Sequence, residues 1–534
     1  MSEGKKGAWS VLGNSVFRSL WLANVASGIG STLHDTAAVW TMTSLTTSAT
    51  LVTLMQTMSS LPLFFLALPA GALADLVDRR RVIIAAQVGS LLVTMGLVVM
   101  SAMGMLTPGV LLAVTFLLGV GVAFTMPTWQ ALLAELVDKK DLTGALTLGS
   151  IGVNNSRALG PLVAGVLLAA SGPTAAFALN ALSFVGIIAV LWRSKSPVVM
   201  KGAHAERMMG AMVTSLRFTR HSPVIQRVLL RNAGFAFFGI APVALLPLIV
   251  RGRGLSAGDF GLLMGVYGVG GILAAFLVLP KLRAKVSADG ILTAGTVLFA
   301  LLAAGLSLVG NRWGMMAILL VAGGAWLTCM STLAVAAQSA FPNWVRARSS
   351  AIFLIVVQVS LAVGAVVWGQ VTAGTDAGWA LRVAALGLLL TGGLGWWFKV
   401  RVSGAMGLNL TPSSHWAGHE LAMEPSDGEG PVMVELEYVV KAEEVVKFQR
   451  AMSALRVVRL RDGAFRWSLF QDLDEPGRFK EVFLVGTWGE HLRQHERATA
   501  DDRVIEEAVL AFHVGDGAPK ARHHLMKEVR AVVL

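Results

Sequence analysis

The sequence predicts an all-α polytopic membrane protein, twelve transmembrane helices in two six-helix halves, followed by a small α+β C-terminal domain. Three observations predict this. Of the 534 residues, 55% are hydrophobic and 14% charged, where a soluble domain carries about 25% charged residues. The mean hydropathy is +0.66. A soluble fold of this size lacks the polar residues to cover its surface, and disordered, collagen-like and fibrous classes are excluded too. Secondly, apolar runs of about 20 residues, the length a spanning helix needs, recur from Arg18 to Lys399. Thirdly, beyond Arg401 the pattern changes to that of a soluble domain.

The spans fall near 18–44, 48–74, 82–105, 108–134, 144–170, 174–192, 224–250, 258–280, 289–310, 313–340, 349–373 and 377–400. Charge clusters or Gly, Pro and Asn turns separate them. One set of connections holds Lys5, Lys6 and Arg18; Arg79, Arg80 and Arg81; Lys139 and Lys140; the long loop from Arg193 to Arg231; Lys281, Arg283 and Lys285; Arg346 and Arg348; Lys399 and Arg401. The opposite set holds little beyond Arg251, Arg253 and Arg312. Basic connections stay cytoplasmic, so both termini are expected inside a bacterial cytoplasmic membrane. The expected organisation is 1–192 for the first half, 193–223 for a central cytoplasmic loop, 224–401 for the second half, 402–430 for a linker and 431–534 for a cytoplasmic domain. A weak internal repeat supports the two halves. Gln130 and Gln338 end helices four and ten, followed at equal spacing by Val137 and Val345.

The formal charge of +12 divides unevenly. The chain up to Arg401 carries net +17 and the remainder −5. The basic excess lies between apolar runs, where it sets topology rather than marking a nucleic-acid footprint. Cys329 is the only cysteine, so neither an intrachain disulfide nor a cysteine-based metal site is expected. The opening MSEGKKGAWS lacks an apolar region followed by a small-residue cleavage site, and a cleaved signal peptide is not expected.

The loop between helices two and three reads Gly71-Ala72-Leu73-Ala74-Asp75-Leu76-Val77-Asp78-Arg79-Arg80-Arg81. It resembles motif A of the major facilitator superfamily, with Asp78 where that motif usually has Gly. Helix five carries Asn154-Asn155-Ser156-Arg157-Ala158-Leu159-Gly160-Pro161, similar to the Gly-Pro motif C of proton-driven antiporters. That helix-five pattern, Phe17–Trp21, and the Gln130 and Gln338 segments resemble the enterobactin-exporter-like, transmembrane secretion effector branch. The resemblance covers roughly residues 14–400. It implies the major facilitator fold and a gating role for Gly71, Asp75, Arg79 and Arg80. Asp75 would lie near the start of the helix beginning around Ser349, where an anion is favoured by roughly 0.3–1 kcal/mol. The contact would close the cytoplasmic side.

Charges at bilayer depth cost roughly 2.5–3.5 kcal/mol on insertion scales and are functional candidates by default. Asn24, Gly28, Ser31 and Asp35 share one face of helix one. Ser150, Asn154, Arg157 and Pro161 form a matching stripe on helix five. Asp35 lies about 25 Å along its helix from Arg18, and Arg157 near 20 Å from the start of its own. The expectation is that the two interact directly or through water, and that protonation of Asp35 couples to substrate release. The alternative is a static pair that fixes packing. His34 points about 100° away from Asp35 and reads first as a packing residue. Gln56, Asn180 and Gln358 are further cavity candidates, and Gly160-Pro161 is expected to bend helix five and permit close packing. Phe235, Phe237, Phe238 and Trp326 read as packing before pocket lining.

In the tail, Val432, Val434, Leu436 and Tyr438 alternate as in a strand. Residues 441–455 read as an amphipathic helix, 465–473 and 479–488 as a hairpin, 489–512 as a second helix and 523–533 as a last strand. The order β-α-β-β-α-β is ferredoxin-like. Trp488, His491 and His495 resemble the dimeric α/β-barrel, monooxygenase type, some relatives of which bind haem through a histidine. No carboxylate pair, nucleophile triad or phosphate loop accompanies them, so no cofactor or metal is expected. The tail then serves docking, homodimerisation or regulation.

The function expected from all this is secondary active transport, a proton-coupled efflux of a small siderophore- or drug-like molecule by alternating access. The expected partners are that substrate, protons and the lipid bilayer, with no nucleic acid. Alternatives are a bifunctional transporter with an oxidoreductase tail, an importer or lipid flippase, and a membrane sensor that no longer transports. No ATP-binding loop is visible, which disfavours direct ATP drive.

Overall fold

The computed structural model describes residues 8–138, 141–193, 215–342, 346–400, 413, 423 and 425–527. Its helices follow the apolar runs: α1 (Ser15–Leu45), α2 (Ala49–Leu76), α3 (Arg79–Ala102), α4 (Pro108–Leu136) and α5 (Leu142–Arg193). A short α6 (215–221) precedes α7 (Pro223–Gly239), α8 (Ala241–Gly252), α9 (Ala257–Leu273), a π-helical turn at Ala274–Val278, and α10 (Leu279–Lys285). There follow α11 (Ala288–Leu308), α12 (Arg312–Ala340), α13 (Arg346–Gly374) and α14 (Ala377–Leu394).

Among the described residues, ten helical stretches are long and apolar enough to cross a membrane. One of them, Gly144–Arg193, is 50 residues long, about 75 Å and twice a bilayer crossing. It breaks at Gly172, whose φ of 74° only glycine adopts readily, and Pro173 restarts the helix. It therefore supplies two spans. Helix α1 is outside the ten although it has 31 residues. Asn24, His34, Asp35 and nine Ser and Thr residues lower its hydropathy. With α1 included and α5 divided, the crossings number twelve. One boundary differs from the expected pattern: α14 ends at Leu394 rather than near residue 400, because Gly392, Gly393 and Gly395 cluster at its end.

The chain forms two compact units. The first contains Met1–Ala205, Leu230–Ala334 and Leu354–Lys399. Within it, α1 and α5 form a close seam. Trp21 Nε1 donates to the Leu148 carbonyl at 2.9 Å, Thr32 Oγ1 to the Ser156 carbonyl at 2.7 Å and Ser156 Oγ to the Val25 carbonyl at 3.3 Å. Small residues permit that approach. A Cβ on Gly160 would meet Thr32 Oγ1 at 2.0 Å and the Leu33 backbone nitrogen at 2.9 Å. Helix α5 also packs on α9, where a Cβ on Gly261 would lie 2.3 Å from the Gly165 Cα. Helices α2 and α13 are tied by Thr57 Oγ1 donating to the Ala362 carbonyl at 2.8 Å.

The second unit contains Glu206–Leu229, Val335–Phe353 and Val400–Leu534. Its tail has β1 (Val432–Val439), α15 (Val445–Asp462), β2 (Ala464–Gln471), β3 (Arg478–Val485), α16 (Trp488–Arg497), α17 (Ala500–Leu510) and β4 (Ala521–Leu525). The strands lie in the order β2-β3-β1-β4, and every neighbouring pair is antiparallel. This is the ferredoxin-like arrangement. The expected second helix, 489–512, is two helices. Thr499 and Asp502 form a capping box that starts α17 afresh, a recognised N-terminal signal. The last strand is shorter than expected, and residues 528–534 lie outside the described residues. Phe448, Met452 and Leu455 of α15 pack on Tyr438 and Phe479 of the sheet.

Candidate functional site

The polar groups of the membrane unit collect around α1, α5 and α9. Asp35 sits 20 residues into α1 and Arg157 15 residues into α5, roughly 30 and 22 Å from the helix starts. Both side chains are exposed at these depths rather than packed in the core. Asn154 stands one turn from Arg157 and donates from Nδ2 to the Ser150 carbonyl at 3.0 Å. Asn24 is half-buried on α1.

A direct contact between Asp35 and Arg157 is absent from this conformation: among the described residues, no hydrogen bond or ion pair joins them. The helix geometry gives the reason. The α1–α5 seam runs through Leu148, Gly152, Ser156 and Gly160, and Arg157 is rotated about 100° from Ser156. It turns away from α1 and lies beside α9 instead. A Cβ on Gly268 would come within 3.0 Å of the Arg157 carbonyl.

The other expected residues sit as follows. His34 is 2% exposed, with its ring 5.1 Å from that of Phe177, and its ring nitrogens find no partner among the described residues. Gln56 Nε2 approaches Ser60 Oγ at 3.5 Å on α2. Gln358 lines an apolar cavity of about 330 Å³ between α2 and α13, with Thr57, Leu61, Phe64 and Phe65. Asn180 is buried beneath Gly30. Gly160 is the tight contact of the α1–α5 seam, and a Cβ on Gly261 would meet the Pro161 carbonyl at 2.6 Å. Phe235 packs with Phe299 and Trp326, and Phe237 and Phe238 with Trp368.

Gly71 and Asp75 fall in the last turns of α2 rather than in the expected loop, and the Asp75 side chain lies outside the described residues. Asp78 caps α3, accepting from the Arg80 amide at 2.9 Å. The Arg80 guanidinium donates to the Trp192 carbonyl, and Arg79 is also engaged. Arg346 and Arg348 begin α13, and their side chains are outside the described residues.

Sequence reasoning missed three features. Tyr267 is one of only two tyrosines in the chain, and a phenol in a glycine-rich span was a legible signal. Arg231, 4% exposed, pairs with the half-buried Asp289 at 2.9 Å and reaches Thr293, so the second half holds a charge pair of its own. In the tail, fully buried Glu481 accepts from Tyr438 Oη at 3.0 Å, Arg459 Nε at 3.1 Å and Trp467 Nε1 at 2.9 Å. Glu481 alternates inward with Phe479 and Phe483 on β3.

The tail histidines form a chain of rings. His491 Nε2 lies 2.9 Å from His523 Nε2 and 3.3 Å from His495 Nε2. Burial, then the neighbouring His495 and His523, push the His491 pKa down to about 3, so its imidazole is neutral near pH 7. Among the described residues, no group of three or more His, Cys, Asp and Glu is placed to hold a metal ion.

Solved structures define the class. A bacterial homologue of the human lysosomal transporter Spinster, inward-facing and unoccupied, superposes with a TM-score of 0.59. It is 14% identical and covers 74% of this chain and 97% of its own. A D-xylose–proton symporter gives 0.60 at 15% identity, over 73% of this chain and 99% of its own. The fold is that of a major facilitator transporter, a multi-pass membrane protein. The chain belongs to the transmembrane secretion effector family, which it matches over residues 6–531. The staphyloferrin A transporter of Staphylococcus aureus is 30% identical over 225 residues, 41% of this chain and 55% of that protein. This chain thus spans about half the length of that relative. The enterobactin exporter EntS of Salmonella choleraesuis is 27% identical over 383 residues, 70% of this chain and 90% of that protein.

Proposed function

We propose that the protein is a proton-coupled exporter of a small, siderophore-like organic molecule, working by alternating access, with both termini in the cytoplasm. The observation that carries this reading is Asp35, an ionisable group deep in α1 whose side chain is exposed and forms no ion pair among the described residues. A carboxylate so placed can take up and release a proton as access alternates, and intramembrane carboxylates mark proton relays. The names of the relatives, a siderophore transporter and a siderophore exporter, support the cargo class and the direction. Asp35→Asn should abolish gradient-driven efflux from everted membrane vesicles while the protein stays in the membrane. Full pH-driven efflux by that variant would sink the reading.

The tail is proposed as a docking and regulatory domain rather than an enzyme. Its grip on the central connector supports this. In the second unit, Arg217 Nη1 of α6 donates to the Gly463 carbonyl at 2.7 Å. Phe218, 2% exposed, lies under the Arg461 guanidinium at 5.4 Å. Arg461 is held in turn by Asp462 and Asp502, each at 2.7 Å. One residue, Ser222, separates α6 from α7, so a tail that grips α6 is placed to restrain the connector between the two halves.

A further inference from the structure

Two hydrogen-bonding groups at the α5–α9 contact are without protein partners. Arg157 makes no hydrogen bond or ion pair with any described residue. The Tyr267 hydroxyl is buried and equally unpartnered among the described residues. Buried polar groups are normally satisfied, and an arginine within the membrane normally faces a counter-charge. Neither group has strayed there by loose packing. Gly268, next to Tyr267, is pressed so closely on α5 that a Cβ would meet the Ala158 Cα at 2.6 Å. On its other side, the Tyr267 carbonyl backs onto Gly323 of α12, where a Cβ would meet it at 1.8 Å. The backbone of Tyr267 is thus wedged between two helices. Tyr267 and Arg157 flank that contact, Tyr267 preceding Gly268 on α9 and Arg157 preceding Ala158 on α5.

We propose that Arg157 and Tyr267 form the recognition site for an anionic oxygen group of the cargo, a carboxylate, so that the transported molecule is an organic anion. This rests on the transport reading above and names its substrate class. The chemistry fits the two donors. A guanidinium offers parallel N–H bonds to both oxygens of a carboxylate, and a phenol O–H supplies one more donor. A cationic cargo would meet the charge of Arg157 unpaired.

The test uses the purified full chain in detergent, with citrate as the anionic probe and choline as the cationic one. Binding is read as a saturable rise in the unfolding temperature at fixed pH. Citrate should stabilise the wild type and choline should not. Arg157→Gln should weaken citrate by more than about tenfold. Arg157→Lys should retain part of it, and Tyr267→Phe should weaken it severalfold. The unfolding temperature without ligand shows that each variant is folded. Should Arg157→Gln not fold, Tyr267→Phe and Arg157→Lys carry the test. Citrate binding unaffected by these changes, no binding to the wild type, or stabilisation by choline alone would overturn the proposal. A wild type that binds citrate through Arg157 but moves no solute across liposomes would refute the transport reading and leave the anion site standing.

Discussion

Two glycines of α5 separate packing from helix propensity. Gly160 is pressed against α1, where a Cβ would meet Thr32 Oγ1 at 2.0 Å, Thr32 Cβ at 2.8 Å and the Leu33 amide nitrogen at 2.9 Å. Gly149, eleven residues earlier, has nothing within 4 Å of its Cβ position. Replacing either by alanine gains about 1 kcal/mol of helix propensity. At Gly149 nothing opposes the gain. At Gly160 the methyl must push the α1 backbone or displace Thr32, and overpacking costs roughly 1–3 kcal/mol. Displacing Thr32 also breaks its 2.7 Å bond to the Ser156 carbonyl, about 1 kcal/mol more. The two variants should therefore differ by roughly 2–4 kcal/mol, with Gly149→Ala the more stable. Denaturation of the purified full chain in mixed detergent micelles measures the difference. Equal stabilities would refute the close seam between α1 and α5.

Three further outcomes follow from the tail. Arg459→Leu leaves fully buried Glu481 without its cation, and breaking a buried pair costs about 3–5 kcal/mol; hydrogen exchange over 432–485 of the full chain should accelerate, while that of α1 should not. His491 has its pKa lowered from 6.5 to about 3, so the folded tail binds fewer protons than the unfolded one. The stability it supports is complete above pH 6.5 and falls by about 1.4 kcal/mol per pH unit below it. His491→Phe should flatten that slope in acid titrations of tail hydrogen exchange, and an unchanged slope would contradict it. Phe218→Ala removes the ring beneath Arg461, and faster exchange over 215–221 with an intact β-sheet is the expected result.

The sequence was most legible where charge interrupts apolar runs. Arg79–Arg81, Lys281–Lys285 and Arg346–Arg348 mark the starts or ends of α3, α10 and α13 within a few residues. The break in α5 was also legible, because Gly172-Pro173 ends one helix and starts another. The alternation from Val432 to Tyr438 likewise placed β1. Less legible were features that depend on which way a helix is rotated. Asp35 and Arg157 stand at comparable depth, but depth alone does not bring side chains together. The seam uses Ser156 and Gly160, and Arg157 is a third of a turn away. Tyr267 stood out as one of two tyrosines, but its importance arises only when Gly268 is seen pressed against α5. In the tail, the Thr499–Asp502 capping box was present in the sequence, and the apolar periodicity running through it masked the break. The Glu481 cluster draws on β1, α15, β2 and β3, which no local pattern could assemble.

The most direct measurement compares the metabolites exported by cells with and without this protein, followed by flux of the retained compound through proteoliposomes under an imposed pH gradient. The expected result is an organic anion that accumulates inside the deletion strain. Its movement through the wild type should follow the gradient and stop with Asp35→Asn. Identical export profiles, or gradient-independent flux through the wild type, would contradict proton-coupled export.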